Sequence, residues 1–340
     1  MARILITGVA GFIGSSIARR LVLEGHEVKG IDNLSTGTLA NIADLRPSLG
    51  FVAADLCDRS TLDSMLKGVE IVFHEGALPS VPKSVLDPHG SHIANVDGTL
   101  NLLLAARDAN VRRVVYAASS SAYGESPTSP KHEGMPTAPI SPYAVQKLTG
   151  ELYMRSFASV YGLETVSLRY FNVFGPRQAA DSPYSGVLAK FITCMLHGIA
   201  PVIHGDGTQS RDFTYIDNVV DANLLAGWAP AAKVSGQVFN IACGASHTLL
   251  QTYSALATLL SFNKPPEFTA MRAADIQHSL ADISRAVGAL GYRPGVSFNE
   301  GLALTVDWYR STLQRDKVQA IRPVHSPQQL TSILSVPIPV

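Results

Sequence analysis

Short apolar runs alternate with amphipathic segments through the first half of the chain. Each run has the length of a buried strand, and the segments between runs carry apolar residues at helical spacing. The predicted strands are 2–7, 27–32, 51–53, 71–74, 114–118 and 164–168. The predicted helices are one that the stretch 8–14 opens and that runs to about Gly25, two near 60–67 and 95–109, and one that has Pro142 in its first turn. Strands and helices in this alternation form a parallel sheet with helices on both faces. The pattern therefore predicts an α/β fold with a doubly wound parallel sheet.

The pattern changes after the sixth predicted strand. Elements become shorter, and isolated helices are predicted near 187–197, 217–227, 248–261 and 299–310. We interpret residues 1–170 as one domain and residues 171–313 as a smaller C-terminal α/β lobe, with some crossing of the chain between them. Residues 314–340 are a proline-rich tail with an apolar end, to which the sequence assigns no role.

Composition narrows the classes of partner. Lysine plus arginine and aspartate plus glutamate number 27 each, so we expect no partner among nucleic acids or anionic membranes. The apolar runs are shorter than a membrane span, and the first strand begins at once, which leaves no room for a signal peptide. Cys57, Cys194 and Cys243 lack a C-x-x-C spacing, and we expect buried thiols rather than disulfides or a metal site. These observations predict a cytoplasmic protein.

Three glycines, Gly8, Gly11 and Gly14, occupy the junction between the first strand and the first helix. Glycine is needed where a turn is tight, where the backbone approaches a pyrophosphate, and where a helix packs closely on a sheet. Asp32 follows at the end of the second strand, close to the spacing at which a carboxylate binds the adenosine ribose. An acid there repels a 2′-phosphate. These positions predict a Rossmann-type sheet that binds NAD rather than NADP, and a plain structural turn is the alternative.

Tyr143 and Lys147 are four residues apart in a predicted helix, so their side chains share one face. An ammonium beside a phenol favours the phenolate, which at neutral pH needs a pKa shift of roughly 3 units from the usual value near ~10. Two unrelated residues on a surface helix are the alternative. Ser119 ends the fifth predicted strand and begins a run of three serines, which can be a plain polar turn. Placing Tyr143 near these serines weakens that alternative.

Other positions allow two interpretations each. Asp55 follows the third strand and can border an adenine or cap the next helix. His74 is more typical of a packed strand end than of a base, and the glycine–alanine pair at 76–77 lets a cofactor come close. Arg211 and Arg272 can form separate surface ion pairs, or together they can clamp a diphosphate.

Taken together, these motifs resemble the extended short-chain dehydrogenase/reductase family and, within it, the UDP-hexose 4-epimerases. The resemblance extends over residues 2–310. It rests on the glycine turn, Asp32, Ser119 and the Tyr143-x-x-x-Lys147 pair, and also on the stretches 116–124, 141–147, 169–178 and 205–213.

The resemblance implies a role for each matching residue. Tyr143 is the implied base, Lys147 binds the nicotinamide ribose, and Ser119 holds the reacting hydroxyl. The implied contacts to NAD are Gly8, Gly11, Phe12, Ile13, Gly14, Asp32, Asn33, Ser35, Thr36, Gly37, Asp55, Leu56, Gly76, Ala77, Asn95, Tyr143, Lys147 and Phe171. The implied contacts to a UDP-sugar are Ser80, Ser119, Ser120, Ser121, Tyr143, Asn172, Val187, Leu188, Arg211, Arg272, Asp275 and Ser279.

The resemblance also implies a reaction. In such epimerases the tyrosine takes a hydroxyl proton while the C4 hydride passes to NAD, and both return to the opposite face of a 4-keto intermediate. Related 4,6-dehydratases carry an Asp-Glu pair after the catalytic hydroxyl residue, and UDP-glucuronate decarboxylases usually keep the glutamate. This chain has Ser120 and Ser121 at those positions, so neither of the sibling reactions is expected.

The implied substrate depends on Ser279, which matches the position beside the C2 substituent of the sugar. A tyrosine there fills the space of an N-acetyl group, whereas serine leaves it open. The stretch 80–84 also matches epimerases of N-acetylated sugars, so we expect UDP-GlcNAc/UDP-GalNAc, with UDP-glucose/UDP-galactose also accepted. UDP-glucuronate is the alternative, since Lys83 or an arginine can meet a carboxylate.

Two further classes of function stay open, a non-catalytic sensor of NAD or nucleotide sugars and an oxidoreductase that releases reduced cofactor. The family resemblance implies a homodimer through residues 95–109 and 143–161.

Overall fold

A parallel sheet of seven strands forms the centre of the molecule. The computed structural model describes residues 1–179, 186–271 and 277–321, the last seven as backbone alone. Six strands come from the first half of the chain, namely β1 (Arg3–Thr7), β2 (Glu27–Asp32), β3 (Leu49–Ala53), β4 (Ile71–His74), β5 (Arg113–Ser119) and β6 (Glu164–Tyr170). Their order across the sheet is β3-β2-β1-β4-β5-β6, and every neighbouring pair is parallel. This is the doubly wound Rossmann order, and the predicted fold class is confirmed.

The second half of the chain adds the seventh strand of the sheet. The short strands β7 (Val173–Phe174), β8 (Val202–His204), β9 (Ser210–Arg211) and β10 (Thr214–Tyr215) come first. The chain then returns as β11 (Gln237–Ile241), which pairs in parallel with β6, and continues through β12 (His247–Thr248) and β13 (Glu267–Thr269). A strand from the second half of the chain thus completes the central sheet, and the division into two lobes stays a prediction.

Helices connect the strands and cover both faces of the sheet. They are α1 (Phe12–Leu23), α2 (Arg59–Met65), α3 (Val81–Leu86), α4 (Pro88–His92), α5 (Gly98–Asp108), α6 (Pro142–Tyr161), α7 (Val187–Leu196), α8 (Ile216–Trp228), α9 (Ala231–Val234), α10 (Leu249–Leu260), α11 (Ser284–Leu290) and α12 (Phe298–Ile321). One π-helical turn, Ile93–Asp97, joins α4 to α5. Helix α12 continues past residue 313, where the tail was predicted to begin. None of the helices in the described ranges combines the length and the apolar composition needed to cross a bilayer.

Alternation along the strands divides the core between the two faces. Ile4 and Ile6 of β1 belong to one buried cluster, whereas Leu5 between them belongs to another. The first cluster continues into the C-terminal half through Phe174 and Phe298, so the two halves of the chain share one core.

The cysteines differ from the expectation of three buried thiols. Cys57 is exposed, because it lies in the surface turn before α2, while Cys194 and Cys243 are partly buried. The prediction of a buried thiol was therefore wrong for Cys57.

Candidate active site

A cavity of about 1670 Å³ opens over the carboxyl ends of the sheet strands. Residues that follow β1, β2, β4, β5 and β6 line it, together with the first turns of α1 and α6. The strand order reverses between β1 and β4, and ligands of open α/β sheets bind at this switch point.

The glycine turn after β1 forms one wall with its backbone. Gly8 has a φ of +66°, and a Cβ there would lie 2.7 Å from the nitrogen of Gly76. A Cβ on Gly14 would lie 2.2 Å from the carbonyl oxygen of Gly8. Helix α1 then begins at Phe12 without a side-chain cap, and Phe12 and Ile13 line the cavity. The glycines therefore allow the tight turn and the close packing that the sequence predicted, and the uncapped start of α1 lies on the cavity wall.

Asp32 and its neighbours form the adjoining wall. Asp32 is almost fully buried, and each of its carboxylate oxygens accepts a backbone N–H, at 2.9 and 2.8 Å. The side-chain amide of Asn33 donates to Asp55 at 2.7 Å. The side chain that caps α2 is Asp58, so the capping interpretation of Asp55 was wrong. Asp55 instead holds Asn33 on the cavity wall, where both residues lie.

Ser119, Tyr143 and Lys147 converge at the end of β5 and line the same cavity. The Lys147 ammonium is buried, donates to the carbonyl oxygen of Ala117 at 2.8 Å, and lies 4.9 Å from the ring centroid of Tyr116. The Ser119 hydroxyl accepts the hydroxyl hydrogen of Ser121 at 2.8 Å. Serine, phenol and ammonium thus face one space, as the sequence predicted.

The first turn of α6 is fixed by contacts on two sides. The Ser141 side chain accepts the N–H of Ala144, and Pro142 occupies the first helical position. The buried Ser84 hydroxyl of α3 accepts the N–H of Tyr143 at 3.1 Å. Tyr143 is therefore anchored through its own backbone.

Burial dominates the ionisation of both side chains on α6. It raises the pKa of Tyr143 to about 12, although a hydrogen bond with Ser119 lowers that pKa. Burial also lowers the pKa of Lys147 to about 8, against the attraction of Glu75 and Glu151. The shift of Tyr143 towards the phenolate stays a prediction, because the sequence argument combines the Lys147 ammonium with the cationic ring of a bound cofactor.

His74 is a packed strand-end residue, as predicted. Its ring lies between the hydroxyls of Thr7 at 2.7 Å and Thr99 at 2.9 Å, and burial lowers its pKa to about 3. The Thr99 hydroxyl donates to the carbonyl of Asn95, so it accepts from Nε2–H of the imidazole, and Nδ1 accepts from Thr7. A neutral His74 therefore satisfies both ring nitrogens.

The sequence interpretation assigned no role to Glu75, which lies on the cavity wall. Its Oε1 accepts the hydroxyl of Tyr170 at 2.9 Å, and its buried Oε2 has no hydrogen-bond partner among the described residues. Burial raises its pKa to about 7, against the hydrogen bond from Tyr170 and the charge of Lys147. The available signal was an acid directly after the strand-end histidine.

Most predicted cofactor residues line the cavity, and fewer of the predicted substrate residues do. The cofactor set on the wall is Gly8, Gly11, Phe12, Ile13, Gly14, Asp32, Asn33, Ser35, Thr36, Asp55, Leu56, Gly76, Ala77, Tyr143 and Lys147, and the substrate set is Ser80, Ser119, Tyr143 and Asn172. Off this wall, among the described residues, are Gly37, Asn95, Phe171, Ser120, Ser121, Val187, Leu188, Arg211 and Ser279. Arg272 and Asp275 lie outside the described residues.

Several of the residues off the wall support it from behind. The buried Asn95 accepts the N–H of Leu78 at 2.7 Å and so holds the loop after β4. Ser279 is 8% exposed and accepts the side-chain amide of Asn172 at 3.3 Å. Arg211 donates to backbone carbonyl groups, so the diphosphate clamp with Arg272 stays a prediction.

Most of the chain is similar to known proteins of one family. Residues 4–242 match the model of the NAD dependent epimerase/dehydratase family. A UDP-glucose 4-epimerase of Mycolicibacterium smegmatis is 40% identical over 317 residues, covering 92% of this chain and 100% of that protein.

Two solved structures share the fold over nearly their whole length. A UDP-N-acetylglucosamine 4-epimerase of Methanobrevibacter ruminantium, in complex with UDP-N-acetylmuramic acid, superposes with a TM-score of 0.87 at 40% identity, covering 92% of this chain and 99% of that one. A UDP-glucuronic acid 4-epimerase of Bacillus cereus, in complex with UDP-glucuronic acid and NAD, gives 0.85 at 31% identity, covering 91% and 99%. With the glycine turn, Asp32 and the Ser119, Tyr143 and Lys147 set in one cavity, the chain belongs to the NAD dependent epimerase/dehydratase family.

Proposed function

We propose that the protein is a UDP-sugar 4-epimerase with tightly bound NAD. The observation that carries the proposal is the convergence of Ser119, Tyr143 and Lys147 on the cavity that the glycine turn and Asp32 also form. Helix α1 begins on the cavity wall without a side-chain cap, so its first N–H groups can bind a pyrophosphate and the residues present fit the cofactor.

NAD, when bound, brings a cationic ring to this cavity and serves as acceptor and later donor of the C4 hydride. The chain's own residues handle the proton. Tyr143 takes the proton of the sugar 4-hydroxyl on its phenolic oxygen and later returns it, while Ser119 orients that hydroxyl. The ammonium of Lys147 and the cofactor's charge together oppose the effect of burial on Tyr143. No net oxidation results, so the cofactor stays in place.

Neutral side chains after Ser119 support epimerisation over the sibling reactions. Ser120 and Ser121 form a short 3₁₀ turn, and the Ser121 hydroxyl donates to Ser119. Elimination of water needs an acid and a base at this place, and hydroxyl groups cannot supply them.

For the substrate, we propose UDP-GlcNAc/UDP-GalNAc, with UDP-glucose/UDP-galactose accepted as well. The support is Ser279, a small side chain that accepts a hydrogen bond from Asn172. Asn172 itself lines the cavity. A second candidate is UDP-glucuronate, favoured by the presence of Lys83 on the cavity wall.

The contacts to the UDP moiety and the assembly are also proposals. We propose that Asn172, Val187, Leu188, Arg211 and Arg272 form the UDP site and that the protein is a homodimer through α5 and α6. The support for the dimer is a set of exposed apolar side chains along α6, namely Val145, Leu152, Val160 and Tyr161. The cytoplasmic location remains a prediction.

Proton NMR of the purified protein with UDP-GlcNAc, without added NAD, tests the function. We expect the anomeric signal of UDP-GalNAc to appear. Conversion of UDP-glucose or UDP-glucuronate in parallel samples, with UDP-GlcNAc unchanged, would retain the epimerase and reject the interpretation of Ser279. No conversion of any of the three by protein that contains NAD would reject the epimerase.

A further inference from the structure

Glu75 places a carboxylate inside the reactive end of the cavity. It follows directly after β4, at the strand end next to the glycine turn, and lines the cavity together with Tyr143 and Lys147. Its Oε1 accepts the Tyr170 hydroxyl, and Tyr170 in turn accepts the side-chain amide of Asn223 of α8 at 2.8 Å. This chain of hydrogen bonds fixes the position and the orientation of the Glu75 carboxyl group.

The second oxygen of Glu75 is the unusual feature. Oε2 is buried and has no hydrogen-bond partner among the described residues, although a buried carboxylate oxygen normally has one. A buried polar atom without a partner on the wall of a ligand cavity indicates a group that is supplied by the ligand or an ordered water. Among the described residues, the Lys147 ammonium attracts Glu75, and the neighbouring His74 is neutral.

The reaction changes the charge at this end of the cavity. When the C4 hydride, two electrons with one proton, leaves the sugar, the hydroxyl proton goes to Tyr143 and the nicotinamide ring loses its positive charge. The return of hydride and proton restores both. A fixed carboxylate nearby therefore interacts with the two cofactor states to different extents.

We propose that Glu75 sets the redox balance of the bound cofactor: its carboxylate stabilises the Lys147 ammonium and the oxidised, cationic nicotinamide. It acts by charge and does not exchange protons with the sugar. Stabilisation of the oxidised form favours return of the hydride to the 4-keto intermediate, and the reduced form of the cofactor does not accumulate. The inference rests on the NAD-binding part of the proposed function and is independent of which sugar binds.

The test is the reduction potential of bound NAD in the holoenzyme, without any UDP-sugar. Wild type, Glu75→Gln, Glu75→Asp and Glu27→Gln are equilibrated with a redox couple of known potential, at a pH between the pKa of about 7 of Glu75 and that of about 8 of Lys147, and the reduced cofactor is measured by its absorbance. Glutamine keeps an acceptor for Tyr170 and removes the charge, whereas aspartate keeps the charge. Glu27 is an exposed acid at the amino end of β2, at the opposite edge of the sheet, so Glu27→Gln is the matched loss of charge.

We expect Glu75→Gln to raise the ratio of reduced to oxidised cofactor at least tenfold, which corresponds to about 30 mV. Glu75→Asp and Glu27→Gln are expected to stay within about threefold of the wild type. A variant that loses its cofactor is compared instead by its affinities for oxidised and reduced NAD, whose ratio reports the same quantity.

Two results would overturn the inference. Equal potentials in Glu75→Gln and Glu27→Gln would show that the charge at Glu75 does not act on the cofactor. A shift in Glu75→Asp as large as in Glu75→Gln would assign the effect to packing. A wild-type protein that binds neither form of NAD would instead reject the proposed function, so the two failures are distinguishable.

Discussion

At the scale of single residues, burial and charge oppose each other around Tyr143. Its pKa is raised to about 12, because desolvation outweighs the hydrogen bond with Ser119, which lowers that pKa. A phenol with such a pKa is a poor base at neutral pH, so its activity depends on the positive charges brought into the cavity. Tyr143 is nevertheless held in place at the start of α6, because its backbone N–H donates a hydrogen bond to the Ser84 hydroxyl.

Tyr143→Phe is expected to reduce turnover by about 10²- to 10⁴-fold, the usual contribution of a general acid–base group. The ring remains, so the content of bound NAD should not change. Turnover with UDP-sugar and cofactor released on denaturation are the two measurements. Tyr153→Phe removes a hydroxyl from the same helix, away from the cavity lining, and should keep wild-type turnover. Full turnover in Tyr143→Phe would contradict the role of Tyr143.

Because His74 is buried in its neutral form, we expect the protein to lose stability in acid. Its pKa is about 3 in the folded protein and near ~6.5 when unfolded, so the unfolded chain binds the additional proton between these values. Stability from this group is therefore complete above the unfolded pKa and falls as the pH decreases towards 3. At pH 5 the expected loss is about 2 kcal/mol.

Urea unfolding of the wild type and of His74→Gln at pH 7 and pH 5 measures this contribution. The difference between the two pH values should be smaller in His74→Gln by about 2 kcal/mol, since glutamine does not titrate. His89→Gln, at an exposed position, is the control and should behave like the wild type. Equal pH dependence in His74→Gln and wild type would reject the assignment.

The chemistry of the site was predictable wherever spacing alone determines it. Helical spacing predicted that Tyr143 and Lys147 share one face. The glycine turn followed by a strand predicted the position of Asp32 at the end of that strand. The ionisation of these groups was not predictable, because it depends on desolvation by residues distant in sequence. Glu75 is the clearest example, since its hydrogen-bond partner Tyr170 is 95 residues away along the sequence.

At the scale of elements, the close approach of α6 to β5 positions the site. Tyr116 of β5 lies under α6, and its ring contacts the Lys147 ammonium. Gly150 of α6 permits this approach, since a Cβ there would lie 2.2 Å from the Tyr116 hydroxyl. Tyr116 is fully buried and cannot swing out towards solvent.

Gly150→Ala and Gly288→Ala should therefore have opposite effects on stability. Alanine improves helix propensity by about 1 kcal/mol at either site. At Gly150 the overlap with Tyr116 costs about 1–3 kcal/mol and displaces Lys147, so we expect lower stability and lower turnover. At Gly288 of α11 an added Cβ meets no atom within 4 Å, so we expect higher stability and normal turnover. Urea unfolding and turnover are the measurements, and a stabilised Gly150→Ala would contradict the packing argument.

Local patterns predicted the elements of the first half and missed part of the second. The six strands β1 to β6 are short apolar runs separated by helical segments, and each lies near its predicted place. Strand β11 was not predicted, although it is as long as β1, and its partner β6 lies about 70 residues earlier. Pairing over that distance depends on the whole fold and leaves little local signal.

At the scale of the molecule, α6 has two distinct faces. Its inner face carries Lys147 and Gly150 against β5, while the outer face leaves Val145, Leu152 and Val160 exposed. Residues 145 and 152 are two helical turns apart and share one face. Several exposed apolar residues on one side of a helix are typical of an interface, and a two-fold interface would pair this face with itself. The site would then sit on the inner side of the helix that forms the interface.

Leu152→Asp should dissociate the proposed homodimer. Leu152 is 58% exposed in the single chain, and burial of a leucine contributes about 1.5–3 kcal/mol. In a two-fold interface the change occurs twice, and each aspartate also introduces a charge into an apolar contact. We therefore expect the dissociation constant to rise at least about a hundredfold.

Sedimentation equilibrium should show twice the chain mass of 36.2 kDa for the wild type and the single mass for the variant. Leu259→Asp makes the same change on the exposed side of α10 and should leave the dimer intact. A wild type that sediments as a single chain would reject this interface, and a Leu152→Asp protein that stays dimeric would move it away from α6.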